Sequence, residues 1–278
     1  MPQGRALLIG LNRVDAHHYG GWAGELNACE ADAMDLTEIA KSQGFTTKQL
    51  LTKAATREHV INEIKDISQV LKPGDIFMLY YSGHGGQVPD KGNEEKDLLD
   101  ETWCLYDGEI IDDEVNHILS RFSKNVRILV LSDSCHSGTM VKAAYYHGMY
   151  TMRLSMQDSQ MIEYKYMPSS VALRTYRQNK GFYDKILQDT TLVQAKDKVK
   201  ASVLLMSGCQ DNQFSMDGVF NSLFTATLLR VWNNGAFDKD YRAFHKEIVE
   251  QMPPDQTPNY YWLGPQDAEF EKQKPFTV

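Results

Sequence analysis

The 278-residue chain has no apolar run approaching the roughly 20 residues that cross a bilayer, so no membrane-spanning helix is expected and no membrane partner. It lacks positive charge: a formal net charge of −8 disfavours nucleic acid, which needs a basic face, as a main partner. The opening MPQGRALLIG has an apolar stretch too short for a secretory signal and no small-residue cleavage site after it, so a cytoplasmic protein is expected. Cysteines are few and scattered. Cys29, Cys104, Cys135 and Cys209 contain no CxxC pair, which argues against structural zinc, and a cytosolic chain of this size does not need disulfides. Cys104 and Cys209 read as small buried hydrophobes. Internal repeats and low-complexity tracts are also missing.

What is present is an alternation of two patterns. Apolar runs at 5–11, 45–51, 76–81, 126–131 and 202–206 read as buried strands. Segments 26–43, 57–70, 112–122, 222–232 and 239–251 read as helices, the second with Thr56 as its N-cap and the first stopped by Gly44. Continuous apolar strands alternating with amphipathic helices predict a mostly parallel sheet covered on both faces, within a single domain over 1–278. Segment 142–200, rich in Tyr, Met, Gln and Lys with weak periodicity, reads as a long flap or linker.

Two of the apolar runs end in polar turns, IFMLYYSGHGGQ and ILVLSDSCHSG. In an open parallel sheet, sites form at the carboxyl ends of strands. If these two strands are neighbours, His84 and Cys135 come within reach of each other. A free thiol is mostly protonated at neutral pH, and an imidazole beside it can take the proton and later return it to a leaving amine. Gly85 leaves room for its backbone N–H to approach a substrate oxygen, with the N–H of Cys135 as a second donor. His136 is a rival base, but adjacent residues tend to point apart, which favours His84. A phosphatase loop would need an Arg shortly after the thiol, and HSGTMVK has none.

At these residues the chain resembles the metacaspases and their bacterial relatives, the caspase-like peptidases. YYSGHGGQ and DSCHSG are similar to the family's His and Cys motifs, LNACEADAMDL to its first helix, DETWCLYD with IIDDEV to its acidic stretch, and MSGCQDNQFSMDG with NSLFTATLL to the strand and helix after the flap. The resemblance runs from Ala6 to about Trp232. It implies a caspase-like three-layer α/β sandwich and a cysteine endopeptidase using His84 and Cys135. It also implies that Cys29, Asp32, Ser82 and Asp133 line the pocket for the residue before the cut bond. Two recessed carboxylates favour a guanidinium or ammonium, so cleavage of proteins or peptides after Arg or Lys is expected, not after Asp as in animal caspases.

Many members of the family bind calcium through four aspartates. Asp100, Asp112 and Asp113 match three of them, but Lys142 stands where the fourth is expected, and an ammonium is a poor neighbour for a calcium ion. Calcium-independent activity, with no cofactor, is the expectation. Basic residues punctuate the flap: Arg153, Lys165, Arg174, Arg177 and Lys180. RTYRQNKG reads as its most exposed stretch and a candidate for self-cleavage, against the plainer reading of a solvated loop. A catalytically silent scaffold, and a zymogen that serves as substrate of an upstream protease, are the alternatives from other functional classes. Relatives of this type are usually monomers, and a monomer is expected.

Overall fold

The structure, a computed structural model, describes residues 1–89, 99–134, 163–195, 198–209 and 215–278. Its centre is set by two apolar runs. β3 (Ile76–Ser82) and β7 (Arg127–Asp133) are buried at every position, as strands covered on both faces must be. β1 (Gly4–Gly10) and β8 (Ser202–Ser207) flank them in parallel. β2 (Phe45–Leu51) and β9 (Asn259–Leu263) form the edges, giving the order β2-β1-β3-β7-β8-β9 with β9 antiparallel. The half-exposed polar residues of β2 fit an edge position.

Strand alternation divides the core into two layers. Met78 and Tyr80 face α1 (Cys29–Ser42), α7 (Leu223–Trp232) and α8 (Tyr241–Gln251), packing with Ala33, Leu36, Phe224, Leu228, Phe244 and Ile248. Phe77, Leu79 and Tyr81 face α2 (Arg57–Val70) and α3 (Asp112–Leu119), packing with Val60, Ile64, Ile118 and Leu119. Each such side chain contributes about 1.5–3 kcal/mol by leaving water. α2 starts where its cap predicts, the Thr56 hydroxyl accepting from the His59 N–H at 3.2 Å. The result is the three-layer α/β sandwich expected from the sequence.

A second sheet hangs from the end of β3. β4 (Gly85–Pro89), β5 (Leu99–Leu105) and β6 (Gly108–Ile111) pair antiparallel. It is not marked in the sequence, because Gly-Gly, Pro and a run of acidic residues mask the strand pattern. Part of the expected flap is helical: α4 (Ser169–Gln178), α5 (Lys180–Leu187) and α6 (Thr190–Val193). RTYRQNKG is therefore not an open loop. Thr175 and Tyr176 are buried, Tyr176 packing with Val88, Ile111, Tyr183 and Leu187, while Arg174, Arg177 and Lys180 face solvent. α9 (Ala268–Glu271) closes the fold, its Phe270 in the first core layer.

The register positions the site. Gly10 pairs with Ser82, and Ser82 with Asp133, so β1, β3 and β7 end side by side at the carboxyl rim.

Candidate active site

His84 leaves the sheet two residues after β3 ends and is nearly buried. Its Nε2 lies 3.0 Å from the carbonyl oxygen of Gly24, and its ring leans on Trp22 with centroids 4.6 Å apart. A carbonyl only accepts, so Nε2 carries the proton and Nδ1 keeps its lone pair. Nδ1 has no hydrogen-bond partner among the described residues. Burial drives the imidazole down to about 4; the Gly24 carbonyl opposes this, the Lys165 ammonium adds to it, and the Tyr166 backbone opposes it. At neutral pH His84 is thus an uncharged base with a fixed tautomer. Gly24 has φ +51°, and a Cβ there would fall 3.0 Å from His84 Cδ2 and 2.7 Å from Trp22 Cη2. Only glycine supplies that carbonyl without displacing the ring.

The backbone N–H of Gly85 donates to the carbonyl oxygen of Lys165 at 3.0 Å, and the Gly85 carbonyl accepts from Met167 N at 2.7 Å. Residues 163–167 thus lie against the start of β4, with a bend at Lys165 where the Tyr166 N–H donates to the Tyr164 carbonyl oxygen at 2.9 Å. On their other side, Lys165 N donates to Ser215 O at 3.0 Å and Asp217 N donates to Glu163 O at 2.8 Å.

Cys29, Asp32, Ser82 and Asp133 come together at the rim, all fully buried, around the ammonium of Lys165, which is itself fully buried. Lys165 Nζ is 3.1 Å from Asp32 Oδ2, 3.2 Å from Asp133 Oδ2 and 2.7 Å from Ser82 Oγ. Ser82 donates in turn to Asp32 Oδ2 at 2.9 Å. The remaining lone pairs of both carboxylates are also used. Asp32 Oδ1 accepts from Asn221 Nδ2 at 3.1 Å and Ser222 N at 3.0 Å. Asp133 accepts from the hydroxyls of Ser215, Ser222 and Thr225. Burial alone would push the Lys165 ammonium down, but the carboxylates of Asp133 and Asp32 hold it well above the ordinary lysine range. Burial pushes the Cys29 thiol up, so it lines the pocket as a neutral group.

Cys135, His136, Lys142 and Arg153 lie outside the described residues. Before Cys135 the chain is anchored: Ser134 is buried, its hydroxyl 3.0 Å from that of Ser132, and its carbonyl accepts from Cys209 Sγ at 3.4 Å. Cys104 and Cys209 are buried as well. Asp112 and Asp113 begin α3, and the pairing of Thr102 with Ile111 puts Asp100 at the same end of the β5–β6 hairpin. Among the described residues no group of three or more His, Cys, Asp or Glu is arranged to hold a metal ion.

The sheet, and the base and acidic pocket at its rim, define a protein of the caspase class. The caspase-domain family model matches residues 3–275, and the chain belongs to that family. It is 28% identical over 257 residues to metacaspase-1 of Schizosaccharomyces pombe, covering 81% of this chain and 57% of that protein. It is 27% identical over 239 residues to metacaspase-1 of Mycosarcoma maydis, covering 77% and 57%. The chain therefore spans a little over half the length of these relatives. Among solved structures, a Geobacter sulfurreducens protein is 59% identical with a TM-score of 0.91, covering 100% of this chain and 99% of that one. Caspase-1 of Spodoptera frugiperda shares the fold at a TM-score of 0.53 and 10% identity, covering 99% and 92%. No helix among the described residues is long and apolar enough to cross a membrane.

Sequence reasoning did not reach Gly24 and Trp22, which hold the imidazole, or Ser215, Asn221, Ser222 and Thr225, which hold the carboxylates. Ser215, Asn221, Ser222 and Thr225 lie within the stretches MSGCQDNQFSMDG and NSLFTATLL, yet each residue missed acts through backbone position, ring packing or a single hydroxyl or amide, which marks none of them out singly. Lys165 was expected only as one of the flap's basic residues, either a self-cleavage candidate or a solvated cation. It is buried because two carboxylates at the rim offer its ammonium full compensation.

Proposed function

We propose that this chain is a cysteine endopeptidase that cleaves proteins or peptides after Arg or Lys, with Cys135 as nucleophile and His84 as its base, and that it is held latent until its own flap is cut. The observation that carries the specificity is the pocket of Asp32, Ser82 and Asp133, which already holds a lysine ammonium at 2.7–3.2 Å. A substrate cation entering it meets the same charge-assisted bonds, whereas an aspartate side chain meets two carboxylates of its own sign.

In the reaction, the free Nδ1 of His84 takes the Cys135 proton while Gly24 keeps Nε2–H oriented. The thiolate attacks the carbonyl after the basic residue, and the Gly85 N–H stabilises the developing oxyanion. His84 then protonates the leaving amine, and water hydrolyses the thioester. The enzyme acts in this proposal as a cytoplasmic monomer and without calcium, so chelator-treated protein keeps its rate when calcium is added back. The test is hydrolysis of matched reporter peptides ending in Arg, Lys or Asp, by wild type and Cys135→Ala. The reading requires Arg and Lys to be cut by wild type alone; a preference for Asp contradicts it.

A further inference from the structure

We propose that residues 163–167 occupy the cleft in the register of a substrate, and that the Lys165–Tyr166 peptide bond is where the chain cuts itself. This rests on the peptidase reading above and specifies its regulation. Three features of the segment coincide. The Lys165 side chain fills the acidic pocket, fully withdrawn from water. The Lys165 carbonyl oxygen takes the Gly85 N–H at 3.0 Å, the donor assigned to the oxyanion. On the amino-terminal side the backbone pairs antiparallel with the chain at 215–217, through Lys165 N to Ser215 O, Asp217 N to Glu163 O, and the Tyr164–Met216 bridge. A peptide bound by edge pairing, with one side chain in a pocket, is how strand-adding ligands are held; here the paired stretch ends in a bend at Lys165, the Tyr166 N–H donating to the Tyr164 carbonyl oxygen at 2.9 Å. A lysine seated only for stability would have no reason to direct its carbonyl at that N–H.

The step balances. The Cys135 sulfur bonds to the Lys165 carbonyl carbon, and the displaced π electrons reside on the oxygen at Gly85. Collapse breaks the C–N bond to Tyr166, whose nitrogen receives the proton that His84 took from the thiol. Water then adds to the thioester carbon, its proton returns through His84 to the sulfur, and Lys165 ends as a free carboxylate. One peptide bond and one water become a carboxylate and an ammonium, the acid's proton passing to the new amino terminus.

The segment also carries a fault that favours its departure once cut. Glu163 lies across from Asp217, and like charges opposed in a strand pair repel. Burial, with Asp217 and Glu25 nearby, raises the Glu163 carboxyl above the usual range. Before the cut the covalent chain holds this strand in place; after it, residues 163–165 are held by their non-covalent contacts in the cleft.

The test is intact-mass analysis of the full chain incubated with chelator and, separately, with calcium. Hydrolysis of an external Arg peptide is followed in parallel. The expected result in both conditions is fragments 1–165 and 166–278, formed at a rate independent of protein concentration. External hydrolysis should rise on the same time course. Cys135→Ala should stay whole, even with active wild type added. Lys165→Arg, which keeps the buried cation, should still be cut, and Lys165→Gln, checked for folding by its melting curve, should show no lag on external peptide. Cutting only at another basic residue, a rate that grows with concentration, or an uncut chain hydrolysing Arg peptide at full rate from the start overturns the inference and leaves the peptidase reading standing. Absence of both self-cleavage and external hydrolysis overturns both.

Discussion

The carbonyl oxygen of Lys165 accepts from the backbone N–H of Gly85 at 3.0 Å, next in the chain to the imidazole of His84. That single bond ties the flap to the carboxyl rim of the sheet. It brings a peptide carbonyl next to the proposed base while the side chain of the same residue neutralises two buried carboxylates.

His84 is aimed by a backbone carbonyl, so its placement depends on Gly24. Gly24→Ala forces a Cβ into the space of Trp22 and His84 at a left-handed φ. Misplacing a catalytic group by about an ångström costs on the order of 10²-fold in rate. The expected outcome is kcat lowered by roughly 10- to 100-fold with KM little changed, read from peptide hydrolysis by protein whose melting curve shows it folded.

Two buried groups titrate in opposition. His84 is depressed to about 4 by burial, so the unfolded chain binds its proton first. Its contribution to stability is complete above pH ~6.5 and is lost as pH falls towards 4. Burial raises Glu109 to about 7, against its hydrogen bonds to Thr102 and Tyr183, so its contribution is complete below pH ~4.5 and is lost as pH rises through 7. Each amounts to about 3 kcal/mol, and between pH 5 and 6.5 the two slopes cancel. Glu109→Gln removes one of them, and its urea-unfolding stability is expected to rise with pH across that window while the wild type stays nearly flat.

In the proposed function the pocket discriminates by charge. Asp32→Asn keeps an acceptor for Asn221 and Ser222 but replaces a carboxylate oxygen that faces the cation. A hydrogen bond to a charged group contributes about 1.5–3 kcal/mol. The expected effect is a 10- to 100-fold fall in kcat/KM for Arg and Lys peptides, with a much smaller change for a peptide carrying a neutral residue there.

The pocket also couples flap to stability. Lys165→Gln leaves Asp32 and Asp133 without their counter-charge, and removing one partner of a buried ion pair costs roughly 3–5 kcal/mol. A lowered Tm is expected for Lys165→Gln and a near-normal one for Lys165→Arg, measured by calorimetry.

The sheet was legible because its central strands are continuous apolar runs, and the parallel reading follows from the helices between them. The pocket set Cys29, Asp32, Ser82 and Asp133 was reached through the family resemblance, and the structure gathers all four around one ammonium. Strands β4–β6 were not legible, since glycines and acidic residues break their alternation. Nor was the buried place of Lys165, because nothing local to EYKYM distinguishes a pocket-filling lysine from a solvated one. Its partners are contributed by α1, β3 and β7, more than thirty residues away in sequence, and Gly24 likewise acts through a carbonyl that every residue type possesses.

The central claim is that Cys135 is a nucleophile serving a cation-selective pocket. Its most direct measurement is the intact mass of the protein after exposure to peptidyl ketones that alkylate an active-site thiol, one ending in Arg and one in Asp. The account predicts a single adduct from the Arg reagent, mapped to Cys135 and absent in Cys135→Ala and greatly slowed in His84→Ala. Labelling that favours the Asp reagent, or that falls on Cys29, Cys104 or Cys209 while sparing Cys135, would contradict it.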